Sequence, residues 1–342
     1  MGRSPILLTV FSAIAVLAPV RAATPAVPQD RIWFCPGPGT LDYVRLFQQP
    51  DQWAHARQLV NVFKFYQGHV QPRNQIFAPD TYDALASAGV FRTLGQWGIK
   101  IALEDGAVKE FYCTPDDSGM KASIAETIDS IQQVEAAGGI VSYIAMDEPF
   151  VSGRARVCGG PALEPTADRV AQYVTAVRTA RPKIEVGLIE AYPFSSAAAI
   201  QTIVQLLEAR GVTPAFLHMD VDWHLSGAAA FKRDMAALKA FAAGEHIPFG
   251  IIIVGYNGEA DALYAVDAYG ISELIADTFR TWDQMPDQLI FQSWVKTSTG
   301  LSITPTNLPE DRPYTHTAML WDIFRRLRGS QGSSTGNAVR RR

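Results

Sequence analysis

The chain has 342 residues, a formal net charge of −4 at neutral pH, and is 48% hydrophobic and 19% charged. The acidic balance excludes a general nucleic-acid binder, which would be basic, and the apolar content is ample for a core. The length suits either two ordinary domains or one α/β barrel of about 250 residues with insertions.

Taken in order, the first residues stand apart from the fold. Arg3 precedes an apolar run, Ile6–Ala18, and then the small residues around Arg21-Ala22-Ala23. This is the pattern of a secretory signal peptide cut after Ala22 or Ala23. The run is short for a membrane span, which needs about 20 residues. An uncleaved anchor is the alternative. Residues 1–23 are thus expected as leader and 24–30 as linker, and no later stretch is apolar enough to span a bilayer. A secreted or periplasmic protein follows, without membrane attachment once the leader is removed.

Strand-like and helix-like segments then alternate. Arg31–Cys35 is a strand and Asp42–Gln58 a helix interruptible at Pro50. Val60–Tyr66 is the second strand, followed by a helix from Asp80 to Trp97. Ile99–Leu103 runs into Glu104-Asp105, with a helix over Lys121–Ala137. Gly139–Met146 is short, rich in Ile, Val and Tyr, and stops at Asp147-Glu148-Pro149, where proline lacks the amide hydrogen a ladder needs. Thr166–Ala180 follows as a helix, then strand Lys183–Ile189 ending in Glu190, and helix Ser196–Arg210. The sixth strand, Ala215–Asp222, precedes helix Gly227–Ala243; the seventh, Phe249–Val254, precedes a helical stretch Glu259–Trp282 with breaks. Gln288–Trp294 and helix Tyr314–Arg328 close the series.

Eight strands alternating with eight helices imply parallel strands joined by right-handed crossovers. Eight such units close into a (β/α)8 TIM barrel, an α/β fold spanning residues 31–328 as a single domain. A doubly wound open sheet is the alternative, but no Gly-rich phosphate fingerprint follows any strand. The tail 329–342, rich in Gly and Ser with terminal arginines, is expected to be disordered. Long segments follow strands three, four and eight, and all would rise from one rim.

Pooling the strand ends places Lys64, Tyr66, Glu104, Asp105, Asp147, Glu148, Glu190, Tyr192, Asp220, Asp222, Tyr256, Asn257, Gln292 and Trp294 at the carboxyl rim, where barrel enzymes keep their chemistry. Acids, amides and aromatic rings converging on one rim suit a carbohydrate partner. Glycosidic cleavage needs two carboxyl groups, one of them an acid. Glu148 is the first candidate for that acid, and Glu190 or Asp220 for the opposing carboxylate. The others, Asp105 apart, are candidate substrate-binding groups. Each carboxylate could instead be a structural ion-pair member.

The sixth strand alternates, with His218, Asp220 and Asp222 on one face and Leu217, Met219 and Val221 on the other. The apolar set should meet helices, turning the polar set inward. A divalent metal held by His218, Asp220 and Asp222 is therefore a rival reading. A non-catalytic sugar-binding barrel is another. The leading expectation carries no metal and no cofactor, because the remaining histidines fall on helices and loops. A monomer is expected.

Three cysteines, Cys35, Cys113 and Cys158, permit one disulfide and one free thiol. Cys113 and Cys158 fall in segments after neighbouring strands and are the expected pair. Cys35, within the first strand, is the expected buried thiol.

At Asp147-Glu148-Pro149 the chain resembles the (β/α)8 glycoside hydrolases. In their largest clan an Asn-Glu-Pro ends the fourth strand and carries the acid/base, corresponding to Glu148. That clan's nucleophilic Glu ends strand seven, where this chain has Tyr256-Asn257. The adjacent Asp-Glu pair is more similar to substrate-assisted N-acetylhexosaminidases, where the Asp orients a 2-acetamido group and the Glu is the acid/base. Trp294, ending strand eight, is similar to the tryptophan of chitinase-like barrels. The resemblance implies hydrolysis of a polysaccharide or glycan.

Overall fold

The computed structural model describes residues 30–110, 116–154, 163–294 and 304–329. The leader, the linker up to Gln29, the tail from Ser330, and both Cys113 and Cys158 lie outside the described residues. Cys35 is a buried free thiol, as expected from its place within a strand.

Eight parallel strands close into a barrel in chain order: β1 (Ile32–Cys35), β2 (Val62–Tyr66), β3 (Lys100–Asp105), β4 (Val141–Asp147), β5 (Glu185–Tyr192), β6 (Leu217–Val221), β7 (Phe249–Ile253) and β8 (Gln288–Gln292). β1 pairs with β8 to complete the ring. Among the described residues, no helix is long and apolar enough to cross a membrane.

The helix expected over residues 80–97 is two pieces, Tyr82–Ser87 and Val90–Gln96. Gly89 separates them at φ +68°, a left-handed conformation that an L side chain resists. The first helix is interrupted at Pro50, as expected. By contrast, Asp261–Phe279 is one continuous helix without the expected breaks, its buried stripe running from Tyr264 to Phe279.

Strand register decides which side chains face the barrel axis, since partners in adjacent parallel strands share a face. The lowest axial layer is aromatic. Trp33 lies 5.0 Å from Tyr143 and 4.8 Å from His218, ring centre to ring centre. Phe216 packs on His218 at 4.3 Å. Gly187 on β5 makes room for this layer, because a Cβ there would lie 2.4 Å from the Phe216 ring. Phe34, Phe63 and Phe65 turn the other way and pack with the ring of helices. The floor is thus aromatic and closely packed, and the polar groups collect above it.

Candidate active site

Above the aromatic floor lies a buried polar layer. Lys64 of β2 is fully buried, donates to Glu104 of β3 and to Gln292 of β8, and forms an ion pair with Glu104. Gln292 donates in turn to Glu104 across 3.4 Å. Burial pushes Glu104 up to about 7, against the pull of Lys64. Lys64 is therefore a structural cation beneath the rim, not a group that meets substrate.

Two cavities open above this layer. The smaller, about 200 Å³, is walled by Asp147, Glu148, Asp220, Lys109, Tyr256 and Trp294, with Val254 and Gln292 completing it. The larger, about 430 Å³, shares Asp147 and Trp294 with it and extends along the segment after β2. Asp147 and Trp294 thus line both cavities.

Adjacent residues of a strand normally face opposite ways. Asp147 ends β4 facing the axis, and Glu148 would turn toward the helices if the strand continued. Instead Glu148 adopts φ +52°, with its N–H donating to the Ile189 carbonyl at 3.0 Å. This turn brings both carboxylates onto one cavity. A left-handed non-glycine residue costs on the order of 1–3 kcal/mol, and such strain clusters at functional sites. Burial, reinforced by the like charge of Asp147, pushes the Glu148 carboxyl up to about 8. Burial and Asp147 likewise raise Asp220 to about 6. Asp220 has no hydrogen bond or ion pair among the described residues.

Lys109 was not legible as a site residue. It sits on a single turn of helix, Ala107–Glu110, in the segment after β3. Its Nζ lies 2.7 Å from Asp147 Oδ2 and 3.6 Å from Glu148 Oε2, and 6.0 Å from the Trp294 ring centre. The available signal was a lone cation in one of the long rim segments.

Several expected site residues go elsewhere. Ile189 pairs with Asp147 and His218 in the register, so Ile189 and Ala191 face the axis while Glu190 and Tyr192 face the helices. Glu190 is fully buried and accepts the N–H groups of Phe150 at 2.9 Å and Val151 at 3.2 Å, holding the start of helix Pro149–Arg154. It does not line the cleft, which corrects its candidacy as the opposing carboxylate. Tyr192 donates to Asp234 Oδ2 on the helix Ala228–Gly244. Asp105 faces outward too, accepting from Tyr173 and Thr127.

Asp222 caps the turn Trp223–Ser226, accepting from the His224 and Leu225 amides. Asn257 accepts from the Glu259 amide in a local turn. Tyr66 and Glu104 line the larger cavity, and Tyr256 lines the smaller one. His218 is inward, as the alternation of β6 indicated, but it belongs to the floor, where Nε2 lies 2.6 Å from Gln288 Oε1. It is thereby separated in role from Asp220 and Asp222. No group of three or more His, Cys, Asp or Glu side chains is placed to hold a metal among the described residues.

No family model and no curated protein matches the sequence. Among solved structures, the chain is similar to the catalytic domain of a hyperthermophilic chitinase from Pyrococcus furiosus. The TM-score is 0.52 at 12% identity, over 89% of this chain and 97% of that one. It is similar to GH5_18 from Streptomyces cattleya in complex with GlcNAc, at a TM-score of 0.52 and 10% identity, over 88% and 81%. A psychrophilic glycoside hydrolase family 10 endo-β-1,4-xylanase gives 0.50 and 10%, over 85% and 96%. At such identities the likeness shows the shared barrel.

Proposed function

We propose that this chain hydrolyses glycosidic bonds, with Glu148 as general acid and Asp220 as the carboxylate acting with it. The observation that carries the reading is the convergence of Asp147, Glu148 and Asp220 on one small cavity, under Trp294 and Tyr256. Retaining and inverting glycosidases both need a protonated carboxyl at the leaving oxygen and a second carboxylate near the sugar carbon. Glu148, pushed up to about 8, keeps its proton at neutral pH. Asp220, at about 6, is largely ionised there.

In the reaction Glu148 gives its proton to the glycosidic oxygen as the C–O bond breaks, and the bonding electrons leave with that oxygen. If Asp220 attacks the carbon first, water then displaces it from that carbon, and the water's proton passes to Glu148, restoring the acid. If Asp220 instead deprotonates the attacking water, it passes that proton on to solvent and Glu148 is reprotonated from solvent. The aromatic rings offer the apolar faces of a sugar a surface to stack on. Agreement in fold with a chitinase and a xylanase is in keeping with this reading.

A second version rests on the turn at Glu148, which presents Asp147 and Glu148 together. On a 2-acetamido sugar Asp147 would orient the acetamido group, whose carbonyl oxygen attacks the sugar carbon. An acetamido-derived thiazoline should then inhibit strongly, and Asp147→Asn should cost more than Asp220→Asn. Indifference to the thiazoline would leave the first version.

The test of the activity is release of reducing ends from a panel of polysaccharides by wild type and by Glu148→Gln. The amide keeps the shape of the acid but cannot donate the catalytic proton. Loss of release in the variant is expected, and undiminished release would remove Glu148 from the chemistry. Export is part of the proposal, resting on the apolar N-terminal run. N-terminal sequencing of secreted protein should begin at Ala23 or Thr24, and retention of Met1 would count against it.

A further inference from the structure

The ring of strands is unevenly paired beside Asp220. β5 and β6 pair as far as Tyr192↔Val221, but β6 and β7 pair only from Leu217↔Phe249 to Met219↔Ile251. The ladder to β7 stops one residue before Asp220. Backbone groups of alternate residues in a strand face the same neighbour. Leu217 donates its N–H to the Pro248 carbonyl at 2.9 Å, so the Val221 carbonyl also faces the β7 side, beyond the last paired residue there. A buried carbonyl in that position needs a donor. The Tyr256 hydroxyl, from the segment after β7, supplies it.

Tyr256 is held in turn by a helix. Gly255 lets the chain run against the helix Asp261–Phe279, since a Cβ there would lie 2.5 Å from the Tyr264 carbonyl oxygen. Asp267 of that helix, 8% exposed, accepts the Tyr256 N–H at Oδ2 across 3.0 Å. Its Oδ1 lies 2.9 Å from Nε2 of His224, on the turn after β6. The His224 ring stands edge-on to Tyr256, 5.7 Å between centres, and stacks on Trp223 at 3.9 Å. One buried carboxylate joins the segments after β6 and β7 where the strands themselves no longer pair.

We infer that Asp267 is a positioning residue for Asp220: through Tyr256 and His224 it closes the gap between the ends of β6 and β7 and so fixes the Asp220 carboxylate in the smaller cavity. The inference rests on the hydrolase reading for the use made of Asp220. Asp267 is not among the described residues lining that cavity, so its effect passes through Tyr256 to the end of β6. Asp220 has no hydrogen bond or ion pair among the described residues and takes its direction from the strand that carries it. Burial is the largest cause of its raised carboxyl, so a loosened strand end that admits water should bring it back down.

The test is a carbon-13 NMR titration of aspartate carboxyls in the full chain, with Asp220→Asn to assign the resonance, applied to Asp267→Ala and Tyr256→Phe. The second variant leaves every carboxylate in place and keeps the ring, removing only the donor to Val221. Both should move Asp220 down from about 6, by roughly one unit. On an aryl glycoside both should lower kcat about 10–100-fold, as a misplacement near 1 Å does, with KM little changed. A merely structural role would lower stability and leave the midpoint and kcat where they were.

An Asp220 midpoint unmoved in Tyr256→Phe would overturn the inference, even if Asp267→Ala moved it, because loss of a negative charge would then be the cause. So would a raised KM with kcat intact. If Asp267→Ala fails to fold, Tyr256→Phe carries the test. Wild-type hydrolysis separates the two readings. Hydrolysis with unmoved midpoints in both variants refutes the positioning role alone, whereas midpoints that move in a chain without any hydrolysis refute the hydrolase reading alone.

Discussion

Replacing Lys109 by Met removes a cation in contact with both adjacent carboxylates while keeping an apolar stem beside Trp294. Its Nζ lies 3.6 Å from Glu148 and 2.7 Å from Asp147. An opposite charge at such range lowers a carboxyl pKa by about 1–3 units. Lys109 is 31% exposed and Glu148 20%, so solvent screening puts the effect at the low end, about one unit or ~1.4 kcal/mol. Glu148 already stands at about 8 through burial and Asp147, with Lys109 pulling it down. Without Lys109, Glu148 should hold its proton to still higher pH. Carbon-13 NMR titration of glutamate carboxyls, with Glu148→Gln to assign the resonance, reads this without any substrate. An upward move of about one unit is expected. A Glu148 midpoint unchanged or lowered in Lys109→Met would refute the electrostatic account of the acid.

Glu190→Ala should lower stability by about 1–3 kcal/mol in chemical denaturation, because the buried Phe150 and Val151 amides lose their acceptor. Unchanged stability with loss of a pH limb would return Glu190 to the chemistry. Lys64→Met should cost roughly 3–5 kcal/mol by leaving Glu104 unpaired in the barrel, and Lys64→Met with Glu104→Leu should recover most of it; no recovery would mean the pair is not the reason. The pH profile of kcat/KM should be bell-shaped. Activity should rise as Asp220 ionises near about 6 and fall as Glu148 loses its proton near about 8, and a profile rising through pH 9 would contradict these assignments.

The barrel was legible because each strand is a short apolar run and each connection a helical one. β6 was the most informative, since polar and apolar residues alternate on it and only one face suits a helix. β5 was misleading for the opposite reason. Val186, Leu188, Ile189 and Ala191 are apolar on both faces, so nothing in EVGLIEAY tells that Glu190 turns outward. That choice is made by pairing with Asp147 and His218, which are distant in sequence. The position of Glu148 at the end of β4 was legible, but the left-handed turn that aims its side chain needed backbone coordinates. Lys109 lies in a segment with no periodic pattern, where spacing carries no information about direction. Asp222 and Asn257 are a reminder that short polar side chains at strand ends often serve local caps.

The central claim, that Glu148 donates a proton to the departing oxygen, is tested most directly by varying how much help that oxygen needs. Glu148→Ala should be assayed on a series of aryl glycosides of the preferred sugar, from phenyl to 2,4-dinitrophenyl, beside the wild type. The dinitrophenolate departs without protonation, whereas phenolate needs the acid. In the variant, kcat/KM should fall by a factor of about 10²–10⁴ on the phenyl glycoside and far less on the dinitrophenyl glycoside. An equal loss across the series would contradict general-acid catalysis by Glu148.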